Sequence, residues 1–142
     1  MLRVVLLAVV LAASSVLAAC SVPTGPVPTP VVVATEPTGT LVVSWTIDMA
    51  VDPGECTRAK AGAVRVELTT AAGTDAGSYE QSCTAFSTTI RLDPDTYQGS
   101  AVILDEMGAP LTAVEHVKSF TLLGGDVITT PIDFSIATFT PN

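Results

Sequence analysis

Positive charge is scarce in this chain. Its 142 residues hold six Lys and Arg against fourteen Asp and Glu, with one histidine. Such a surface repels phosphate backbones, which clustered Lys and Arg must neutralise, so nucleic-acid binding is excluded. It is equally unsuited to lying on anionic lipid by charge alone. Aromatic residues make up only 5% of the chain, too few to argue for an exposed platform that stacks sugar rings. The single tryptophan, Trp45, sits on the inward phase of an alternating segment and reads as a core anchor. The lone histidine, His116, falls in a predicted strand, on one face with Val114, Lys118 and Phe120, and reads as a surface residue. Zinc takes three or four close ligands, which one histidine does not supply. Gly-x-Ser-x-Gly, His-Glu-x-x-His and a phosphate-cradling glycine loop are all absent. Neither a catalytic constellation nor a cofactor is expected.

What the chain does have begins at its N-terminus. Met-Leu-Arg gives a short positive start, and Val4 to Val16 forms an apolar run too short to span a bilayer comfortably. The run ends in Leu17-Ala18-Ala19-Cys20, which resembles the lipobox of bacterial lipoproteins at every position. That resemblance implies diacylglyceryl attachment to the Cys20 thiol, cleavage just before Cys20, and acylation of the new amine. Two or three acyl chains anchor stably where one is marginal, at ~0.8 kcal/mol per buried CH₂. An ordinary signal peptide cleaved near Ala18-Ala19 and an uncleaved N-terminal membrane helix are the alternatives. Ser21 stands where Asp would favour inner-membrane retention, so the outer membrane is expected in a Gram-negative envelope. Residues 20–38 then read as a tether, with Pro23, Pro26, Pro28, Pro30 and Pro37 favouring an extended course of roughly 55 Å. Val31–Val33 offers the alternative of an added edge strand. Without Arg3, five basic side chains (Arg58, Lys60, Arg65, Arg91, Lys118) face the fourteen acidic ones, a net −9.

From Gly39 the hydrophobic period becomes two. Leu41, Val43, Trp45, Ile47 and Met49 alternate with polar or smaller residues, which predicts a strand with one buried face. Val64, Val66 and Leu68 alternate with Arg65, Glu67 and Thr69 more cleanly still. Further strands are predicted near 77–84, 86–92, 96–105, 111–122 and 127–136. Turn signals separate them at Asp52-Pro53-Gly54, Ala72-Gly73-Thr74, Asp93-Pro94-Asp95, Met107-Gly108-Ala109-Pro110 and Gly124-Gly125-Asp126. No segment keeps a helical period over three turns. Residues 39–142 are therefore expected to form an all-β domain, an antiparallel two-layer sandwich of about seven strands, immunoglobulin-like or prealbumin-like. Leu92-Asp93-Pro94-Asp95-Thr96-Tyr97 resembles the Leu-x-Pro-x-x-Tyr corner of prealbumin-like and carboxypeptidase-regulatory-like sandwiches. There the tyrosine hydroxyl often bonds back to the backbone.

Cysteine parity points the same way. With Cys20 assigned to lipid, Cys56 and Cys83 remain as an even pair suited to an oxidising compartment. They are expected to form a disulfide between the loop after the first strand and the 77–84 strand, closing a loop of ~28 residues and stabilising the fold by roughly 3.5 kcal/mol. A metal or redox pair is the alternative, although there is no Cys-x-x-Cys and no neighbouring histidine. Taken whole, the chain resembles small lipoproteins of the myxobacterial type. The cues are the Gly-Thr-Leu-x-Val-x-Trp strand, Asp-Pro-x-x-Cys, a second cysteine before Phe86, the tyrosine corner and a closing Pro-Ile-Asp-Phe. That resemblance implies fold and location, and no activity.

The acidic residues cluster at turns: Asp48, Asp52 and Glu55 at the first connection, Asp93 and Asp95 in one turn, Asp105 and Glu106 in another. Calcium accepts such oxygen ligands, but Asp and Glu at turns more often serve turn geometry and solubility. A paired-carboxylate glycosidase needs a large cleft. The expectation is a lipid-anchored, non-enzymatic sandwich in the cell envelope with a binding or structural role, its partners the membrane through Cys20 and a further envelope protein. Its alternatives are an accessory subunit that docks by a sheet edge and a weak calcium-dependent binder or carboxylate enzyme.

Overall fold

The computed structural model describes residues 37–135 together with Ala137 and Phe139. The signal segment 1–19, Cys20 and nearly all of the tether lie outside the described residues, as does Val31–Val33. The elements are β1 (Gly39–Ile47), α1 (Pro53–Ala59), β2 (Ala61–Thr70), β3 (Asp75–Ser82), a 3-10 turn (Cys83–Ala85), β4 (Ser87–Leu92), β5 (Asp95–Asp105), β6 (Glu115–Leu122) and β7 (Val127–Phe134). They form two sheets, β4-β1-β7 and β3-β2-β5-β6. The all-β, seven-stranded, two-sheet sandwich is thus the fold.

Binary patterning builds both sheets. β1 alternates strictly between buried and half-buried, with Leu41, Val43, Trp45 and Ile47 at most 1% exposed. Val64, Val66 and Leu68 of β2 and Ala101 and Ile103 of β5 face them across the core. Because the side-chain period is two, these rows hold each strand in register; a slip of one residue would turn the whole row to water.

One pairing departs from the antiparallel expectation: β1 and β7 run parallel, Thr40 opposite Val127 through Ile47 opposite Phe134. A parallel pair needs a long crossover, and here the whole rest of the domain connects the first strand to the last. Local differences also have identifiable causes. β1 stops at Ile47, not Met49. Asp48 and Met49 adopt φ of 47° and 61°, and Ile47 and Ala50 exchange both backbone hydrogen bonds at 3.0 Å, the geometry of a tight primed turn. Met49 is consequently 87% exposed, its amide donating to Asp133 Oδ1 at 2.7 Å.

The expected Asp52-Pro53-Gly54 turn opens a short helix instead. Asp52 Oδ1 accepts from the Gly54 amide at 2.8 Å, Pro53 occupies the first helical position, and Lys60 ends the helix in a left-handed conformation. Seven residues are too few to show a helical period. β6 begins at Glu115, later than expected. Before it, the Leu111 amide bonds the Ile103 carbonyl at 2.8 Å and Thr112 Oγ1 accepts from the Ile103 amide at 3.1 Å.

Between β5 and β6 the register steps from Tyr97–Phe120 to Gly99–Val117, which places one extra residue on β6. That bulge resets the alternation. Phe120 therefore turns inward to stack on Tyr97, with ring centroids 5.7 Å apart, and does not share the exposed face of His116 and Lys118. Gly99 lies at this irregularity, where a Cβ would fall 2.3 Å from the Glu67 carbonyl oxygen of β2.

Cys56 on α1 and Cys83 in the 3-10 turn are joined by a disulfide, their Cα atoms 6.0 Å apart and both residues buried. The expected pairing is present, though its anchors are a helix and a turn, not a loop and a strand. Trp45 Nε1 donates to the Cys83 carbonyl at 2.9 Å, fastening the crosslink to the middle of the core.

Two stability measurements follow. Replacing both bonded cysteines (Cys56→Ser with Cys83→Ser) should cost about 3.5 kcal/mol in denaturant unfolding; a loss under about 1 kcal/mol would show that α1 and the 3-10 turn hold without the bond. Gly99→Ala should cost about 3 kcal/mol, because β2 backbone must move to admit the methyl group; an unchanged unfolding midpoint would contradict the close approach.

Candidate functional site

The turn carboxylates are largely committed to backbone. Asp105 Oδ1 accepts from the Met107 and Ala109 amides, both at 2.8 Å. Asp126 Oδ2 holds the Leu123 amide at 3.1 Å, and Asp52 caps α1. Glu55 pairs with Arg58 at 2.8 Å. Among the described residues no three His, Cys, Asp or Glu side chains are grouped so as to hold a metal ion. Of the acidic turns predicted as a calcium alternative, Asp52 and Asp105 each shape their own loop. His116 is exposed on β6, opposite Ser100.

A cleft of about 400 Å³ opens where the β3 and β4 edges separate, close to the start of β1. β3 contributes Asp75, Ala76 and Tyr79, β4 contributes Arg91 and Leu92, the turn after it contributes Asp93, and the start of β5 contributes Asp95 and Tyr97. The tyrosine corner builds its floor. β4 belongs to the β4-β1-β7 sheet and β5 to the β3-β2-β5-β6 sheet, so the chain must change layers within Asp93–Asp95. Tyr97 Oη donates to the Asp93 carbonyl at 2.7 Å and holds that corner, as the resemblance implied. Burial, then the Asp95 and Asp93 carboxylates and Tyr79, push the Tyr97 phenol above its usual value, because all disfavour a phenolate.

Tyr79 Oη donates to the Ala76 carbonyl at 2.9 Å, which fixes its ring along the wall. Asp75 and Asp95 each spend Oδ1 on a nearby amide, of Gly77 at 2.9 Å and Thr96 at 2.6 Å. Arg65 pairs with Glu80 at 2.7 Å, but Arg91 forms no ion pair among the described residues. The cleft therefore presents three carboxylates, one guanidinium without an ion pair and two tyrosines. Asp93 and Asp95 were singled out from sequence; Asp75, Tyr79 and Arg91 were not. Their meeting depends on two edges from different sheets, for which period-two patterning carries no signal.

No protein-family model matches the chain, and no curated protein sequence does. Among solved structures it is similar to one described as "putative polysaccharide binding proteins" from Bacteroides thetaiotaomicron, at 10% identity and a TM-score of 0.41. The match covers 66% of this chain and 46% of that one, so the chain spans under half of the other protein's length.

The raised Tyr97 phenol has a measurable consequence. A folded-state value above the unfolded one means the proton is held more tightly when folded, so its stabilisation is complete below about pH 10 and is lost as pH rises through the folded value. Alkaline titration followed by near-ultraviolet absorbance should show a phenol ionising above the ordinary tyrosine range, and that step should be absent in Tyr97→Phe. That variant should also lose about 1 kcal/mol of stability with the corner bond. Persistence of that step in Tyr97→Phe would contradict the assignment.

Proposed function

We propose that this chain is a lipid-anchored protein of the bacterial cell envelope whose β-sandwich serves a non-enzymatic binding or structural role. One observation carries the anchor: of three cysteines, two are bonded to each other. The third, Cys20, ends a lipobox-like segment. A buried disulfide is at home in an oxidising compartment outside the cytoplasm, which supports the same location. Among the described residues no helix is long and apolar enough to cross a membrane. The acidic surface does not favour adsorption to anionic lipid, and acyl chains on Cys20 supply the attachment instead. The proline-rich residues 20–38 then hold the sandwich off the bilayer. In a Gram-negative envelope, Ser21 favours the outer membrane. The binding role is supported by a polar cleft whose walls are held by internal hydrogen bonds.

Mass spectrometry of the mature chain should find diacylglyceryl-modified Cys20 at the N-terminus. Cys20→Ser should move the protein from the membrane to the soluble fraction while leaving the Cys56–Cys83 bond intact. An unmodified Cys20, or an N-terminus elsewhere, would remove the lipoprotein reading.

A further inference from the structure

Four strand edges bound the two sheets, and they are unequally protected. Natural edges are blunted by proline, bulges, charges or irregular backbone, because an open ladder accepts a foreign strand. β7 carries Pro131, and β6 carries its bulge and Lys118. β3 has Gly77 at φ +117 beside the pairing irregularity at Leu68/Thr69, and Glu80 lies across it in an ion pair. β4 carries no proline, bulge or irregular backbone, has Arg91 as its one charge, and pairs in unbroken register with β1 from Ser87 to Leu92. Trp45 N–H bonds the Phe86 carbonyl at 3.0 Å, which sets the phase of that ladder. Thr88, Ile90 and Leu92 thereby face their hydrogen bonds to β1, and the N–H and C=O groups of Ser87, Thr89 and Arg91 point away from it. Among the described residues no strand pairs with that outer side.

We propose that β4 is a docking edge for an extended segment of a partner protein bearing a Lys or Arg side chain, and that the adjoining cleft receives that side chain. The outward backbone groups call for a strand, whose main-chain hydrogen bonds give affinity while a pocket beside the edge gives specificity. The cleft lies directly along this edge, with Arg91 and Leu92 of β4 in its wall. Its charge selects the occupant. Asp75 and Asp95 each keep one carboxylate oxygen outside their turn bonds, and Asp93 uses only its carbonyl, toward Tyr97. Three carboxylates outweigh the guanidinium of Arg91, and the chain as a whole carries −8, which draws a cationic segment. The Tyr79 ring on the wall adds a face for a cation. This names the partner chemistry for the binding role proposed above and rests on that reading.

The test uses the full chain in detergent micelles and acetylated peptides of alternating Thr and Val with Lys, Gln or Glu at the centre. The Lys peptide should bind about tenfold more tightly than the Glu peptide and slow amide exchange at Thr89 and Arg91. Thr89→Pro should abolish binding of all three, since its amide points outward and proline there costs no ladder bond. Combined Asp75→Asn, Asp93→Asn and Asp95→Asn should erase the Lys preference while the edge protection persists. Trp45 fluorescence reports whether Thr89→Pro stays folded; if it does not, the aspartate variant and the exchange pattern decide. Absence of binding, equal binding of Lys and Glu peptides, or protection on β3, β6 or β7 would each overturn the proposal. The acylation state of Cys20, read on the same sample, separates the two readings: an acylated chain that ignores the peptides sinks the docking edge alone.

Discussion

The inward row of β1 is the constraint on which the rest of the domain depends. Leu41, Val43, Trp45 and Ile47 are removed from water almost completely, in the middle strand of its sheet. Burying side chains of this size is worth on the order of 1.5–3 kcal/mol each. Both neighbours take their register from this strand, β4 antiparallel and β7 parallel. Trp45 then extends the constraint beyond the sheet. Its indole N–H needs a partner once buried, and it finds the carbonyl of Cys83, whose sulfur is bonded to Cys56 on α1. Core packing, indole hydrogen bond and disulfide therefore close the same end of the sandwich.

The opposite end is organised by Tyr97. There the chain passes from one sheet to the other within a few residues, and the phenol reaches back to the Asp93 carbonyl while its ring stacks on Phe120. The same corner forms the floor of the cleft. Fold and candidate site thus share a residue: what turns the chain between layers also keeps two carboxylates at the mouth of a crevice. Its raised phenol is a by-product of that arrangement, since burial and neighbouring carboxylates both oppose the phenolate.

Acidic residues have two roles in this domain. Asp52, Asp105 and Asp126 accept amide hydrogen bonds that shape a helix start and two turns. Asp75, Asp93 and Asp95 stand along the cleft between two edges, two of them with an oxygen left over. Local turn chemistry explains the first group fully. For the second it explains Asp75 and Asp95, whose side chains hold nearby amides, and the convergence arises from how the sheets stack.

The all-β class, the inward rows of β1 and β2, the tyrosine corner and the cysteine pairing were legible in the chain itself. Each rests on short-range periodicity, local turn chemistry or parity, which act over a few residues or follow from a count. The expectation of a lipid on Cys20 likewise comes from the chain alone, through a four-residue motif. Helix α1 was hidden because seven residues hold too little period. The end of β1 was hidden because Met49 continues an apolar alternation that Asp133, more than eighty residues away, interrupts by holding its amide. The inward turn of Phe120 was hidden by a one-residue bulge. Only the tertiary structure decided which strands became edges, that β1 and β7 run parallel, and that Asp75, Tyr79 and Arg91 share a cleft. Those outcomes depend on contacts between distant segments and on the stacking of two sheets, where a side-chain period of two says which face is buried but not which strand lies beside it.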